Sequence, residues 1–206
     1  MPLAGKIRKT FMEPLGKNNP VYTQILGICS TLAVTNRLEN TVIMSLGVVF
    51  VTTFSNFTIS LLRKLIPARV RMMAETLIIA SFVIIVDITL RAYMPDIWRA
   101  LGPYVGLIIT NCIIMGRAEA FAMNNSPQLS IIDGLSSGLG YTYVLVFIAF
   151  FRELMGTGEL WGVTILGDWW TNWTIMVMPP GAFFMLAIFV WVVKGVIIPD
   201  TEEEKK

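Results

Sequence analysis

Cys29 and Cys112 are the only thiols in this 206-residue chain, and the chain contains no histidine. Histidine-based acid–base catalysis, histidine-ligated haem and histidine-ligated zinc are thereby excluded within it. Three roles stay open for the two cysteines. Each could be a small apolar packing residue. The two could form a disulfide, although a pair embedded in lipid has no evident oxidant. As metal ligands they would supply thiolates. A [2Fe–2S] cluster ligated by thiolate takes four, so the other two would come from a second polypeptide or a second copy, making an oligomer obligatory.

The elements that carry these residues are those of a polytopic membrane protein. Hydrophobic residues make up 55% of the chain and charged residues 15%, with a mean hydropathy of +0.68. A soluble domain carries about 25% charged residues. The net charge is only +2, with no basic patch suited to nucleic acid. Thr41–Leu62 has no charge and, as a helix of about 1.5 Å per residue, covers roughly 33 Å, enough for a hydrocarbon core of about 30 Å. Met72–Leu90, Ile131–Phe151 and Ile175–Val193 are comparable. Val21–Asn36 and Pro103–Met115 are weaker and are read as discontinuous helices, the second continuing through Ala118–Met123. The total is six crossings in one membrane domain over 1–200.

Lys6, Arg8 and Lys9 are followed by Glu13, Pro14, Lys17, Asn18, Asn19 and Pro20 rather than by a cleavable apolar core. The segment 1–17 is therefore expected to be retained as a tail, with 200–206 as a second, charged tail. With six spans both termini share one face. Lys6, Arg8, Lys9, Lys17, Arg63, Lys64, Arg69, Arg71, Lys194, Lys205 and Lys206 fall there, against Arg37, Arg91, Arg99 and Arg152 on the other. The positive-inside rule then makes both termini cytoplasmic. Trp161, Trp169, Trp170 and Trp173, between the last two spans, read as an interfacial aromatic belt on the outer face.

The two weak segments are alike. Leu26-Gly27-Ile28-Cys29 is followed by Arg37-Leu38-Glu39, and Thr110-Asn111-Cys112 by Arg117-Ala118-Glu119. The next spans end in Leu62-Arg63-Lys64-Leu65 and Phe151-Arg152-Glu153-Leu154. Units of three spans, about 20–92 and 100–198, must have opposite orientations, giving an inverted repeat whose broken helices mark the functional site. Gly27 and Gly116 permit close backbone approach beside the cysteines. Half-helix N-termini suit anionic thiolates.

Four carboxylates fall within or at the edges of spans, where charge costs at least about 2.5–3.5 kcal/mol at midplane. Glu75 lies one turn from Arg71, a helical i,i+4 pair. Glu119 has Arg117 two residues away, and Arg117 is also near Cys112. Asp87 and Asp133 have no sequence-local partner and are candidates for a cation path or a polar subunit contact.

Several stretches carry a family resemblance. They are Asn18-Asn19-Pro20 through Leu26-Gly27-Ile28-Cys29-Ser30 and Leu32-Ala33-Val34-Thr35; Gly106 through Asn111-Cys112-Ile113-Ile114-Met115-Gly116-Arg117-Ala118-Glu119-Ala120-Phe121-Ala122-Met123; Asp133-Gly134 with Gly138-Leu139-Gly140-Tyr141; and Arg152-Glu153-Leu154 with Gly156-Thr157-Gly158. Across nearly the whole chain the sequence resembles the NqrD/RnfE family, and within it the branch of the Na+-translocating NADH:quinone oxidoreductases. The resemblance implies a multi-pass subunit of a respiratory complex in the bacterial inner membrane, without a substrate site of its own. It implies an NqrE-like partner of the same fold and opposite topology, and a shared [2Fe–2S] cluster with Cys29 and Cys112 as this chain's ligands. Gly27, Thr110, Asn111 and Gly116 would shape its pocket. Other subunits would bind flavins and NADH, and the complex would reduce quinone and export Na+. Met178-Pro179-Pro180-Gly181-Ala182-Phe183 is more similar to the Rnf relatives, ferredoxin:NAD oxidoreductases. A small secondary transporter built from inverted repeats is the alternative of a different class.

Overall fold

The computed structural model describes residues 3–16, 19–21, 23–160, 163–164 and 173–196. They form helices α1 (Leu3–Leu15), α2 (Ile28–Val34), α3 (Leu38–Leu62), α4 (Arg71–Tyr93), α5 (Pro95–Ile109), α6 (Cys112–Arg117), α7 (Pro127–Gly156), α8 (Thr174–Val177) and α9 (Pro179–Val196). A π-helical segment, Ala118–Ala122, continues α6. The strands among the described residues are a minimal antiparallel hairpin, with Glu159 opposite Thr164 and Leu160 opposite Val163.

Four helical stretches are long and apolar enough to cross a membrane: Leu38–Leu62, Arg71–Tyr93, Pro95–Ala122 and Pro127–Gly156. Pro179–Gly195 is a shorter apolar helix. α4 leaves Met72, Leu77, Ile84 and Ile88 exposed, as expected of side chains that meet lipid. The protein is therefore a multi-pass helical membrane protein.

α3 and α7 form the central pair. They run antiparallel, because Gly134 lies opposite Thr53 and Gly138 opposite Val49. A methyl group on Gly134 would sit 2.9 Å from the Thr53 Cα, so only glycine lets these backbones approach so closely. Val48, Val51, Ile79, Ile113, Tyr141, Val144 and their neighbours pack into the main core around this pair.

Three boundaries differ from the expectations. The segment 1–17, expected as a tail, is helical over Leu3–Leu15 and lies on α7, where Ser136 Oγ donates to the Phe11 carbonyl at 2.6 Å. The last span does not run unbroken from Ile175 but stops at Val177 and restarts at Pro179. Pro179 and Pro180 have no N–H to donate, and a proline disfavours the α conformation in the residue before it. Arg152 bonds carbonyls at this break, its guanidinium donating to Met176 O at 3.1 Å and Val177 O at 3.0 Å, and at 3.4 Å to Met178 O, which also accepts from Gly181 N at 3.1 Å. The helix in the Val21–Asn36 segment is only Ile28–Val34, about 10 Å at roughly 1.5 Å per residue. Trp161, Trp169, Trp170 and the tail 200–206 lie outside the described residues, and Trp173 is exposed.

Candidate functional site: the two cysteine helices

Each cysteine occupies the first turn of a short helix. Cys29 is the second residue of α2 and Cys112 the first of α6. The first N–H groups of a helix have no intrahelical acceptor, so both thiols lie beside partial positive charge. α2 is started by Gly27, whose φ of 80° and ψ of 15° are left-handed. Gly27 O accepts from Thr31 N at 3.1 Å, Ser30 Oγ at 3.0 Å and Thr31 Oγ1 at 2.8 Å. The turn before it is closed by Leu26 N bonding Pro20 O at 2.9 Å. Asn19 anchors this loop to α7, donating to Gly140 O at 3.1 Å while its Oδ1 accepts from Val21 N at 2.9 Å.

α5 ends at Ile109, and Thr110 is its cap, with ψ of 13°. Asn111 then turns extended and caps α6, its Oδ1 accepting from Ile113 N at 3.1 Å. The break expected in Pro103–Met115 therefore falls at Thr110–Asn111, immediately before the cysteine.

The two cysteine helices meet. Asn111 Nδ2, beside Cys112, lies 3.3 Å from Ser30 Oγ, beside Cys29. Ser30 Oγ is also 2.5 Å from the hydroxyl of buried Tyr141 on α7. Gly27 packs against Ile113 and Tyr141, where a Cβ would meet Ile113 Cδ1 at 2.7 Å and Tyr141 Cε2 at 3.0 Å. Gly116 packs against Leu26, with 3.1 Å available to a Cβ. Ser30, Asn111 and Tyr141 are buried, yet both thiols are free and exposed. Segments 81 residues apart, read from Asn111 to Ser30, are thus joined by a buried polar contact between residues that each adjoin an exposed cysteine. Ser30 and Tyr141 stand in the stretches that carry the family resemblance, but nothing in their types or spacing signals that they touch.

The carboxylates pair differently from the sequence reading. Asp133 is fully buried and takes both Nε, at 3.0 Å, and Nη2 of Arg117 in a two-point ion pair. Arg117 therefore serves Asp133 rather than its neighbour Glu119, and it also lies 5.4 Å from the Phe121 ring. Arg71, expected to pair with Glu75, instead bonds Glu119 at 3.0 Å. Residues two apart on a helix point to different sides, which leaves Glu119 to Arg71 and Arg117 to Asp133. Asp87 is away from the cysteines, half-buried at the α4–α5 turn, where it accepts from Trp98 Nε1 at 2.9 Å. Arg91 stacks on the same Trp98 ring at 4.3 Å.

Two exposed free thiols, each in the first turn of a short helix, are of the ligand type that iron–sulfur clusters take, and four such ligands are needed for a [2Fe–2S] centre. Among the described residues no group of three or more His, Cys, Asp or Glu side chains could hold a metal within this chain. A family model described as Rnf-Nqr subunit, membrane protein, matches residues 7–190. The chain belongs to that family. As an Rnf-Nqr subunit it is a component of a multisubunit redox complex, and the matched region includes both cysteine helices, α3, α7 and most of α9.

Proposed function

We infer that this Rnf-Nqr subunit is an electron-carrying membrane component of a Na+-translocating NADH:quinone oxidoreductase. Cys29 and Cys112 would supply two thiolates to an intramembrane [2Fe–2S] cluster, and an NqrE-like subunit of opposite orientation the other two. The observation that carries this reading is the buried Ser30–Asn111 contact beside two exposed thiols. Bound there, the cluster would supply a one-electron carrier within the membrane. The chain's own residues hold the two cysteine turns in register. Gly27 permits the left-handed start, Asn111 caps α6, and Tyr141 ties Ser30 to α7. Asp133 neutralises Arg117 five residues beyond Cys112.

Six spans in two inverted repeats are part of the same proposal. A reciprocal pair of arginine contacts supports it. Arg152, ending α7, donates to Thr35 Oγ1 and, at 2.9 Å, to Asn36 Oδ1, just past α2. Arg63, ending α3, donates to Asn125 O at 2.8 Å, just past the π segment that extends α6. Both termini would then be cytoplasmic, in a bacterial inner membrane. The Rnf-type ferredoxin:NAD alternative rests on the likeness of Met178–Phe183 to the Rnf relatives.

Iron and acid-labile sulfide should be measured per purified complex, with subunit composition determined on the same sample. Cys29→Ser and Cys112→Ser should each remove the cluster's EPR signal and block turnover while the complex still assembles. A secondary transporter, or a purely structural anchor, would keep its activity in both variants, and that result would overturn the reading. Substrate dependence on NADH and quinone against ferredoxin decides between the Nqr and Rnf branches.

A further inference from the structure

Glu75, in the second turn of α4, is fully buried, and neither of its carboxyl oxygens has a hydrogen-bond partner. Arg71, one turn before it on α4, bonds Glu119 of the π-helical segment, which brings the two carboxyls into one neighbourhood. Glu119 is divided between two environments. Oε1 bonds Arg71 at 3.0 Å, at a partly exposed position, whereas Oε2 is buried and has no partner. Ile59 of α3, Ile78 of α4, and Ala118 and Ala122 of the π segment pack together beside them, so the surroundings are apolar. Asn56, one turn before Ile59 on α3, is also fully buried, with both amide atoms unbonded.

The charged groups acting on Glu75 are Glu119 across the helix contact and Arg71 on its own helix. Two carboxylates and one guanidinium leave one uncompensated negative charge. A buried carboxyl whose oxygens have no donor is strongly disfavoured as it stands. One hydrogen shared between the carboxyls neutralises the trio and gives the orphaned oxygens a donor. A metal ion would need a fuller oxygen shell than these two side chains offer. We propose that Glu75 and Glu119 form a proton-sharing carboxyl pair, holding one exchangeable proton that enters through the half-exposed Glu119 from the membrane face bearing Arg71. The site is separate from the cysteines, and its existence does not depend on a bound cluster. It does place an exchangeable charge on the helical segment continuous with Cys112.

Dicyclohexylcarbodiimide reacts with protonated carboxyls in apolar surroundings, so it reports the proton directly. Purified wild-type complex is treated near neutral pH, and the adduct on this subunit is mapped by mass spectrometry. Glu75 should be modified. Glu119→Gln, which removes the neighbouring charge and releases Arg71, should lower Glu75 labelling at fixed pH by at least about threefold. Arg71→Gln should raise it. Replacing choline by Na+ at constant ionic strength should leave the yield unchanged. The proposal is overturned if Glu75 stays unmodified in both the wild type and Arg71→Gln, or if Glu119→Gln labels like the wild type. It is overturned equally if Na+ displaces the label, since the occupant would then be a metal cation.

Discussion

Gly27→Ala is the sharpest test of how the cysteine turns are held. Alanine at φ of 80° carries a left-handed penalty of about 1–2 kcal/mol. Its methyl would also lie 2.7 Å from Ile113 Cδ1 and 3.0 Å from Tyr141 Cε2, an overpacking cost of about 1–3 kcal/mol because Tyr141 is fixed by its bond to Ser30. Together the substitution should cost roughly 2–5 kcal/mol, all of it at the junction between α2 and α6. The clash is relieved by turning the Ile113 and Tyr141 side chains or by shifting the α2–α6 junction, and Ile113 follows Cys112 directly. The variant complex should therefore lose thermal stability and bind less iron. Gly106→Ala is the matched control: it lies within α5 with nothing within 4 Å of a new Cβ, and alanine is the better helix former by up to about 1 kcal/mol. Thermal denaturation and iron per complex are measured side by side. If Gly27→Ala behaves like Gly106→Ala in both, the left-handed turn does not hold the site, and the reasoning fails.

Arg152→Met should orphan acceptors at Thr35, Asn36, Met176 and Val177, at about 1–3 kcal/mol for each one left buried, so the subunit should disappear from assembled complex on native gels. Arg152→Lys should recover only part of it, because an ammonium cannot reproduce the guanidinium fork. Asp133→Leu strands the largely buried Arg117 charge and should cost about 3–5 kcal/mol, most of it recovered by adding Arg117→Met; denaturant titration of the complex reads both. If Asp133 also lies on the cation path, Asp133→Asn should raise the Na+ concentration needed for turnover, and an unaltered Na+ dependence removes that role. Asp87→Asn keeps an acceptor for Trp98 Nε1 and should leave stability unchanged, so any shift in its Na+ dependence reports a role in transport.

The long helices were legible because uncharged runs such as Thr41–Leu62 leave a membrane chain no other way to satisfy its backbone. That Pro103–Met115 belongs to a discontinuous helix was legible, because 13 residues are too few to cross, but the break's place at Thr110–Asn111 was not. The pairing of the buried charges was not. Arg117 lies two residues from Glu119 and sixteen from Asp133, and local spacing favours the nearer acid. Residues two apart on a helix do not face each other, so Arg117 and Glu119 diverge, and Asp133 reaches Arg117 only because α7 packs beside it, which local spacing does not show. The Ser30–Asn111 contact was hidden for a related reason. It depends on how two irregular turns meet in space, and periodicity describes only the regular helices on either side. The prolines at 179 and 180 were visible, but their consequence depended on Arg152 arriving from another helix to bond carbonyls at the break.

The arginines that end α3 and α7 each complete a segment belonging to the opposite part of the chain: Arg63 reaches Asn125, and Arg152 reaches Asn36. Neither half owns all the partners its own polar groups require. A fragment stopping near Arg99 would leave the Thr35 hydroxyl and the Asn36 amide oxygen without their donor and the Arg63 guanidinium without its acceptor during insertion, becoming prey for quality-control proteases, whereas two fragments made together could still clasp. Folding in the bilayer should accordingly be late and all-or-none, with the cysteine face forming only once the final helices have threaded.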